Sequence, residues 1–155
     1  MAESLIYKAE YYRVIGICME IHRILGKGLL EIVYKDAAEY EFQKQGILNE
    51  REKEYPVPYK DIILPHKFYA DFVVYNDIIL EIKAVSAITD EHLAQTLNYM
   101  ALAKSPLGII VNFGASSLQH KRVILSETKK VATSTPRNPS RNVLIETNPK
   151  TKTNS

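Results

Sequence analysis

The chain has 155 residues, 46% of them hydrophobic, a single cysteine and a formal net charge of +2. That is enough for one domain with a sizeable core. It excludes an internal disulfide framework, and with no apolar stretch of membrane-spanning length and no signal-like N-terminus a soluble, cytoplasmic protein is expected. The charge is uneven: residues 128–155 carry six Lys and Arg against Glu146, 6 − 1 = +5, which leaves 2 − 5 = −3 for the rest.

From about Leu5 to Ile24, apolar residues at Ile6, Ala9, Val14, Ile17, Cys18 and Ile21 form a helical stripe. Cys18 within it reads as a buried, inert thiol rather than a nucleophile. Gly26-Lys27-Gly28 ends this helix, and a second runs from about Leu29 to Gln45, with Leu30, Val33, Tyr34, Ala37, Ala38 and Phe42 inward and Gly46 as its stop. The glycines lack the companions of a phosphate loop, and no serine sits in a nucleophile elbow. Between Asn49 and Leu64, Glu50, Glu52 and Glu54 alternate with Arg51, Lys53 and Tyr55 before Pro56 and Pro58, the pattern of an exposed edge strand.

Phe68 to Val85, FYADFVVYNDIILEIKAV, contains two runs rich in Val, Ile, Phe and Tyr around Asn76-Asp77, and predicts a β-hairpin. Its register follows from the pattern. Pairing Asp71 with Glu81 sets Phe72 and Val74 opposite Leu80 and Ile78 and makes one face wholly apolar; a slip by one residue would bury a lone charge on either face. The other face then carries Asp71, Glu81 and Lys83. Two ionised carboxylates about 5 Å apart repel by about 3 kcal/mol at an effective dielectric near 20, which a divalent cation would relieve.

Thr89 is a plausible N-cap for a helix reaching about Lys104, with Asp90 and Glu91 in its first turn. Leu93, Leu97, Met100 and Ala101 share one of its faces, and His92, Gln95 and Tyr99 another. After Pro106, Leu107 to Asn112 reads as a strand buried on both faces. Lys121 to Leu125 gives a last short strand, whose Lys121-Arg122 suits either a phosphate or a protected sheet edge. Residues 128–155, rich in Ser, Thr, Asn and Pro, are expected to be a disordered basic tail, either a solvated extension or an electrostatic arm for nucleic acid.

Asp71, nine intervening residues, then Glu81-Ile82-Lys83 resembles the signature of the PD-(D/E)XK nuclease superfamily. The segment His22 to Tyr34 is similar to the opening motif of a bacterial family named for its GxxExxY pattern, here Gly28, Glu31 and Tyr34, itself placed in that superfamily. Gln95-x-x-x-Tyr99 resembles the motif that accompanies E-x-K in RecB-type nucleases. Lys27 stands where the family often has proline, and Asp61 where it typically has glycine.

The resemblance implies an α/β fold, a mixed central sheet flanked by helices with a restriction-endonuclease-like core over residues 1–127. It further implies Mg²⁺- or Mn²⁺-dependent hydrolysis of phosphodiester bonds in DNA or RNA. Asp71, Glu81 and Ile82 would be metal ligands, Lys83 would orient water or stabilise charge, and Gln95 and Tyr99 would position substrate or support the lysine. Glu31 would either add a third carboxylate or pair locally in the first turn of its helix. The acidic face of the hairpin is expected to open to a cleft reached by Gln95. The alternative is a nuclease-fold module without turnover that binds nucleic acid or a protein partner. A homo-oligomer is a further possibility that sequence leaves open.

Overall fold

The computed structural model describes residues 6–125 and the backbone of 143–147. Two helices lead, α1 (Lys8–Leu25) and α2 (Glu31–Lys44), followed by β1 (Asn49–Tyr55) and a small projecting hairpin, β2 (Pro58–Tyr59) and β3 (Ile62–Ile63). The central hairpin is β4 (Phe68–Val74) and β5 (Ile78–Lys83); α3 (Asp90–Ala103), β6 (Leu107–Asn112), β7 (Gln119–Leu125) and β8 (Val143–Thr147) complete the order. The sheet runs β1-β4-β5-β6-β7-β8. Among the described residues, only β5 and β6 pair in parallel, because α3 provides the crossover that a parallel pair needs.

The two faces of the sheet carry separate cores. On one, Val14, Ile17, Cys18 and Ile21 of α1 and Tyr34, Ala38 and Phe42 of α2 pack on Phe72, Val74, Ile78, Leu80, Ile82, Ile109 and Val111. On the other, Leu97 and Met100 of α3 cover Phe68, Ala70, Val73, Ile79, Ile110 and Val123. Strand β6 is buried throughout, as its unbroken apolar run requires. Burial pushes the Cys18 thiol up to about 12, so it is inert at neutral pH.

The hairpin adopts the register that the apolar pattern selects, Phe72↔Leu80 and Val74↔Ile78. Its turn is made by Tyr75 and Asn76, both left-handed at φ 55° and 66°, one residue earlier than Asn76-Asp77. Asp77 instead accepts a hydrogen bond from the Tyr7 hydroxyl at 2.7 Å. Strand β4 also departs from simple alternation. Phe68 and Ala70 face α3, as Val73 does, whereas Phe72 and Val74 face α1 and α2, so the strand changes phase around Asp71. Across from Asp71, β1 is disturbed at the same level: Glu52 has φ 55°, and the pairing runs from Arg51↔Phe72 to Lys53↔Ala70 without it.

Helix α3 begins as the sequence signals. The Thr89 side chain accepts from His92 N–H at 3.3 Å, and His92 Nδ1 accepts from Thr89 N–H at 3.0 Å, a reciprocal cap with histidine in the usual Glu/Gln role.

The C-terminal part corrects the expectation of a wholly disordered tail. Val143–Thr147 pairs antiparallel with β7, from Lys121↔Thr147 to Leu125↔Val143. Val143-Leu144-Ile145 is a compact β-prone run that averaging over 28 mostly polar residues hides. The remainder of 128–155 lies outside the described residues. Arg122 is buried, placed over the Tyr11 ring at 5.7 Å and donating to the Ile6 carbonyl, so its role here is to fasten α1 to β7.

Deleting residues 128–155 is therefore expected to lower the melting temperature. A few backbone bonds worth about 0.5 to 1.5 kcal/mol each, at about 2 to 4 °C per kcal/mol, give a drop of about 5 °C or more in a thermal melt. An unchanged midpoint would show that β8 contributes nothing.

Candidate active site

Beyond Leu80 the two strands of the hairpin are joined through side chains. Asp71 N–H donates to Glu81 Oε2 at 3.1 Å, and Ile82 N–H donates to Asp71 Oδ2 at 2.8 Å. Each carboxylate thus satisfies a backbone donor of the opposing strand, and the two acids are clasped side by side. Both are buried, Asp71 at 8% and Glu81 at 4% exposure. The expected open cleft is not what surrounds them: the phase change at Asp71 turns its carboxylate toward α2, where a lysine covers it.

That lysine is Lys35. Its Nζ lies 2.8 Å from Asp71 Oδ1, 3.4 Å from Glu31 Oε2 and 3.5 Å from Glu52 Oε2. Burial works against the ammonium, but the hydrogen bond and charge of Asp71, with Glu52 and Glu31, outweigh it and hold the pKa above the ordinary lysine value. Neither Lys35 nor Glu52 was singled out from the sequence. Lys35 is a helix residue four after Glu31 and beside the motif tyrosine, and Glu52 looked like one of three solvated glutamates on an edge strand.

Gly26, Gly28 and Tyr34 explain why α2 stands where it does. Gly26 and Gly28 adopt φ 70° and 103°, conformations that side-chain-bearing residues avoid. The Tyr34 hydroxyl donates to Gly26 O at 2.6 Å and accepts from Leu29 N–H at 3.2 Å, while its ring stacks on Phe113 at 4.5 Å. Tyr34 thereby ties the loop to the helix start, and the next residue, Lys35, is delivered to Asp71. Glu31 opens α2 and pairs with Lys35 one turn on; it joins the cluster through that ammonium.

Glu81 has no ion pair among the described residues. Burial, then the charge of Asp71, push its carboxyl up to about 8, against which the Asp71 N–H bond, Lys83 and Lys35 work only in part. Lys83 is half-buried at the end of β5, two residues along the same face. Burial and then the charge of Lys83 lower the pKa of His92, against which Glu91 and Glu31 act, so Lys83 is near enough to the start of α3 for its charge to be felt there. The strand end is held firmly: Phe113 N–H donates to Lys83 O at 2.8 Å, and Asn112 Oδ1 accepts from Val85 N–H at 2.9 Å and Gly114 N–H at 3.0 Å. A Cβ on Gly114 would come within 2.2 Å of Val85 O, so only glycine lets these loops meet.

Tyr99 stacks on Phe68 at 4.1 Å, and Phe68 on Tyr55 at 4.9 Å. Burial, then Glu81 and Asp71, raise the Tyr99 pKa, which places its phenol within the field of the acidic pair. Gln95, one turn earlier, is exposed and makes no hydrogen bond to the carboxylates. Among the described residues, no three carboxylate, imidazole or thiol side chains form a ready-made metal cluster, and Glu31 meets Asp71 through Lys35.

A mixed sheet with α1 and α2 on one face and α3 on the other is a restriction-endonuclease-like fold. The family model described as PD-(D/E)XK nuclease superfamily matches residues 8–123, and the chain belongs to that superfamily. Among solved structures it is similar to the one titled "Crystal structure of SSO0001", with 18% sequence identity and a TM-score of 0.50. The similarity covers 84% of this chain and 66% of that one, and it is a likeness of fold. No curated protein matches the chain.

The buried pair dictates a pH dependence. Burial, then the charge of Asp71, raise the Glu81 pKa from the ordinary 4.5 to about 8 in the folded chain. Between those values the native state binds the extra proton, so stability falls as pH rises. Thermal melts of metal-free protein from pH 5 to 8 are expected to show this decline, and Glu81→Gln to flatten it and to melt higher at pH 8. Equal slopes in the two proteins would mean that Glu81 titrates normally.

Proposed function

We propose that the chain is a divalent-metal-dependent nuclease that hydrolyses phosphodiester bonds in DNA or RNA. The observation that carries this reading is the clasped pair: two carboxylates from opposing strands, buried together, one of them without a cationic partner. Asp71, Glu81 and the backbone carbonyl of Ile82 are an all-oxygen donor set. That suits Mg²⁺ or Mn²⁺, hard cations that accept one or two carboxylates and keep several waters. When bound, such a cation supplies an activated water at neutral pH and neutralises charge on the phosphate.

The chain's own residues supply the rest. The clasp restrains the rotamers of both carboxylates, because each accepts a hydrogen bond from the main chain of the opposing strand. Lys83, two residues beyond Glu81, would orient the attacking water or stabilise the charge that develops on the phosphoryl oxygens. Hydrolysis forms one new P–O bond from water and breaks one ester bond, and the departing oxygen leaves with a proton. Tyr99, stacked on Phe68 and within the field of the acidic pair, and exposed Gln95 one turn earlier on α3 would position substrate.

The burial of both acids favours one rival, a nuclease-fold module that binds nucleic acid or a protein partner without turnover. A single set of measurements separates the two. Saturating Mg²⁺ or Mn²⁺ is expected to stabilise the wild type by about 2.7 kcal/mol at one hundred times its dissociation constant, roughly 5 to 10 °C, and to support cleavage of DNA or RNA. Glu81→Ala should lose both effects, whereas Lys83→Met should keep the stabilisation and lose cleavage. No shift in melting removes the metal site; a shift with no cleavage of any nucleic acid favours the binding module.

A further inference from the structure

Both oxygens of Asp71 already have a partner in this structure. Oδ2 is taken by Ile82 N–H, and Oδ1 by the Lys35 ammonium at 2.8 Å. A cation that uses either oxygen of Asp71 comes close to the Lys35 ammonium, 2.8 Å from Oδ1, and must tolerate its charge or displace it. The lysine is held deliberately: its side chain is 12% exposed, although a four-carbon stem could reach water, and two further carboxylates converge on it. One of them, Glu52, sits in the left-handed region opposite Asp71, where the β1–β4 pairing is interrupted. Such a conformation persists only where the surroundings enforce it.

We propose that Lys35 is an internal counter-ion that competes with the divalent cation for Asp71, and so sets how tightly the site takes metal. The inference rests on the metal-dependent reading above. Glu31 and Glu52 complete the device. They are more exposed than Asp71, at 41% and 49% for their side chains, and each lies within 3.5 Å of Nζ. When Asp71 turns to a metal, these two carboxylates offer the ammonium a place at the rim of the site, so Lys35 moves aside without being left unpaired. Lys35 is thus a positioning residue that acts through Asp71.

Calorimetric titration of Mn²⁺ and of Mg²⁺ into wild type, Lys35→Met and Lys35→Arg, without nucleic acid and with parallel melts, tests this. Lys35→Met is expected to melt lower than wild type in the absence of metal, yet to bind Mn²⁺ about tenfold more tightly or better, since one competing positive charge is gone. Lys35→Arg should stay near wild type in affinity. A lysine that only supports the fold would lower stability without tightening metal binding, so opposite signs in the two readouts are diagnostic. If Lys35→Met does not fold, Lys35→Gln keeps a polar contact to Asp71 without the charge and should show the same tightening. Wild type that binds Mn²⁺ while the neutral variants bind it equally or more weakly overturns the counter-ion role alone. No binding in wild type or any variant overturns it together with the metal-dependent reading.

Discussion

The structure turns on the burial of two acids side by side at one end of a β-hairpin. Buried carboxylates resist ionisation, and a second one alongside raises the cost further. Three devices make the arrangement tolerable. The backbone donors of Asp71 and Ile82 satisfy one oxygen of each acid, Lys35 neutralises Asp71, and Glu81 retains its proton through neutral pH. Each device needs a different element in place: the hairpin register, the start of α2, and the cover of α3.

This dependence explains the rigidity around the site. Tyr34 bolts the α1–α2 loop to the helix that carries Lys35, and Asn112 and Gly114 clamp the strand that carries Lys83. The pile of Tyr55, Phe68 and Tyr99 spans β1, β4 and α3 beside the acids. None of these contacts touches the carboxylates directly. They fix the elements from which the charged groups project, and electrostatic preorganisation requires just that: charges held in position by a frame that does not move when they change state.

Much of this was legible because it was written in apolar periodicity. The hairpin register followed from Phe72, Val74, Ile78 and Leu80 alone, since a slip would have buried a lone charge. Buried β6 and the Thr89 cap were equally direct. What escaped has a common physical cause. Lys35, Glu52 and the phase change at Asp71 are consequences of tertiary convergence: a charged residue on a helix and another on an edge strand read as solvated until two elements far apart in sequence meet. Alternation across a strand assumes that the pleat is continuous, and β4 breaks that assumption at Asp71, the residue on which the site depends. β8 escaped because five residues with a Val-Leu-Ile start lie inside a long polar segment.

The charge count at the site joins these observations. Below the raised pKa of Glu81 the acidic pair carries two removable positive charges, a proton on Glu81 and the ammonium beside Asp71. A divalent cation also brings two. If it enters between Asp71 and Glu81, losing the proton and moving the ammonium to Glu31 and Glu52 keep the charge between the two acids unchanged. The low-dielectric interior, where net charge is most costly, would then see no change in total. On this count the proposed metal site is compatible with the buried acids, because the proton and the ammonium supply the charge that a divalent cation would bring.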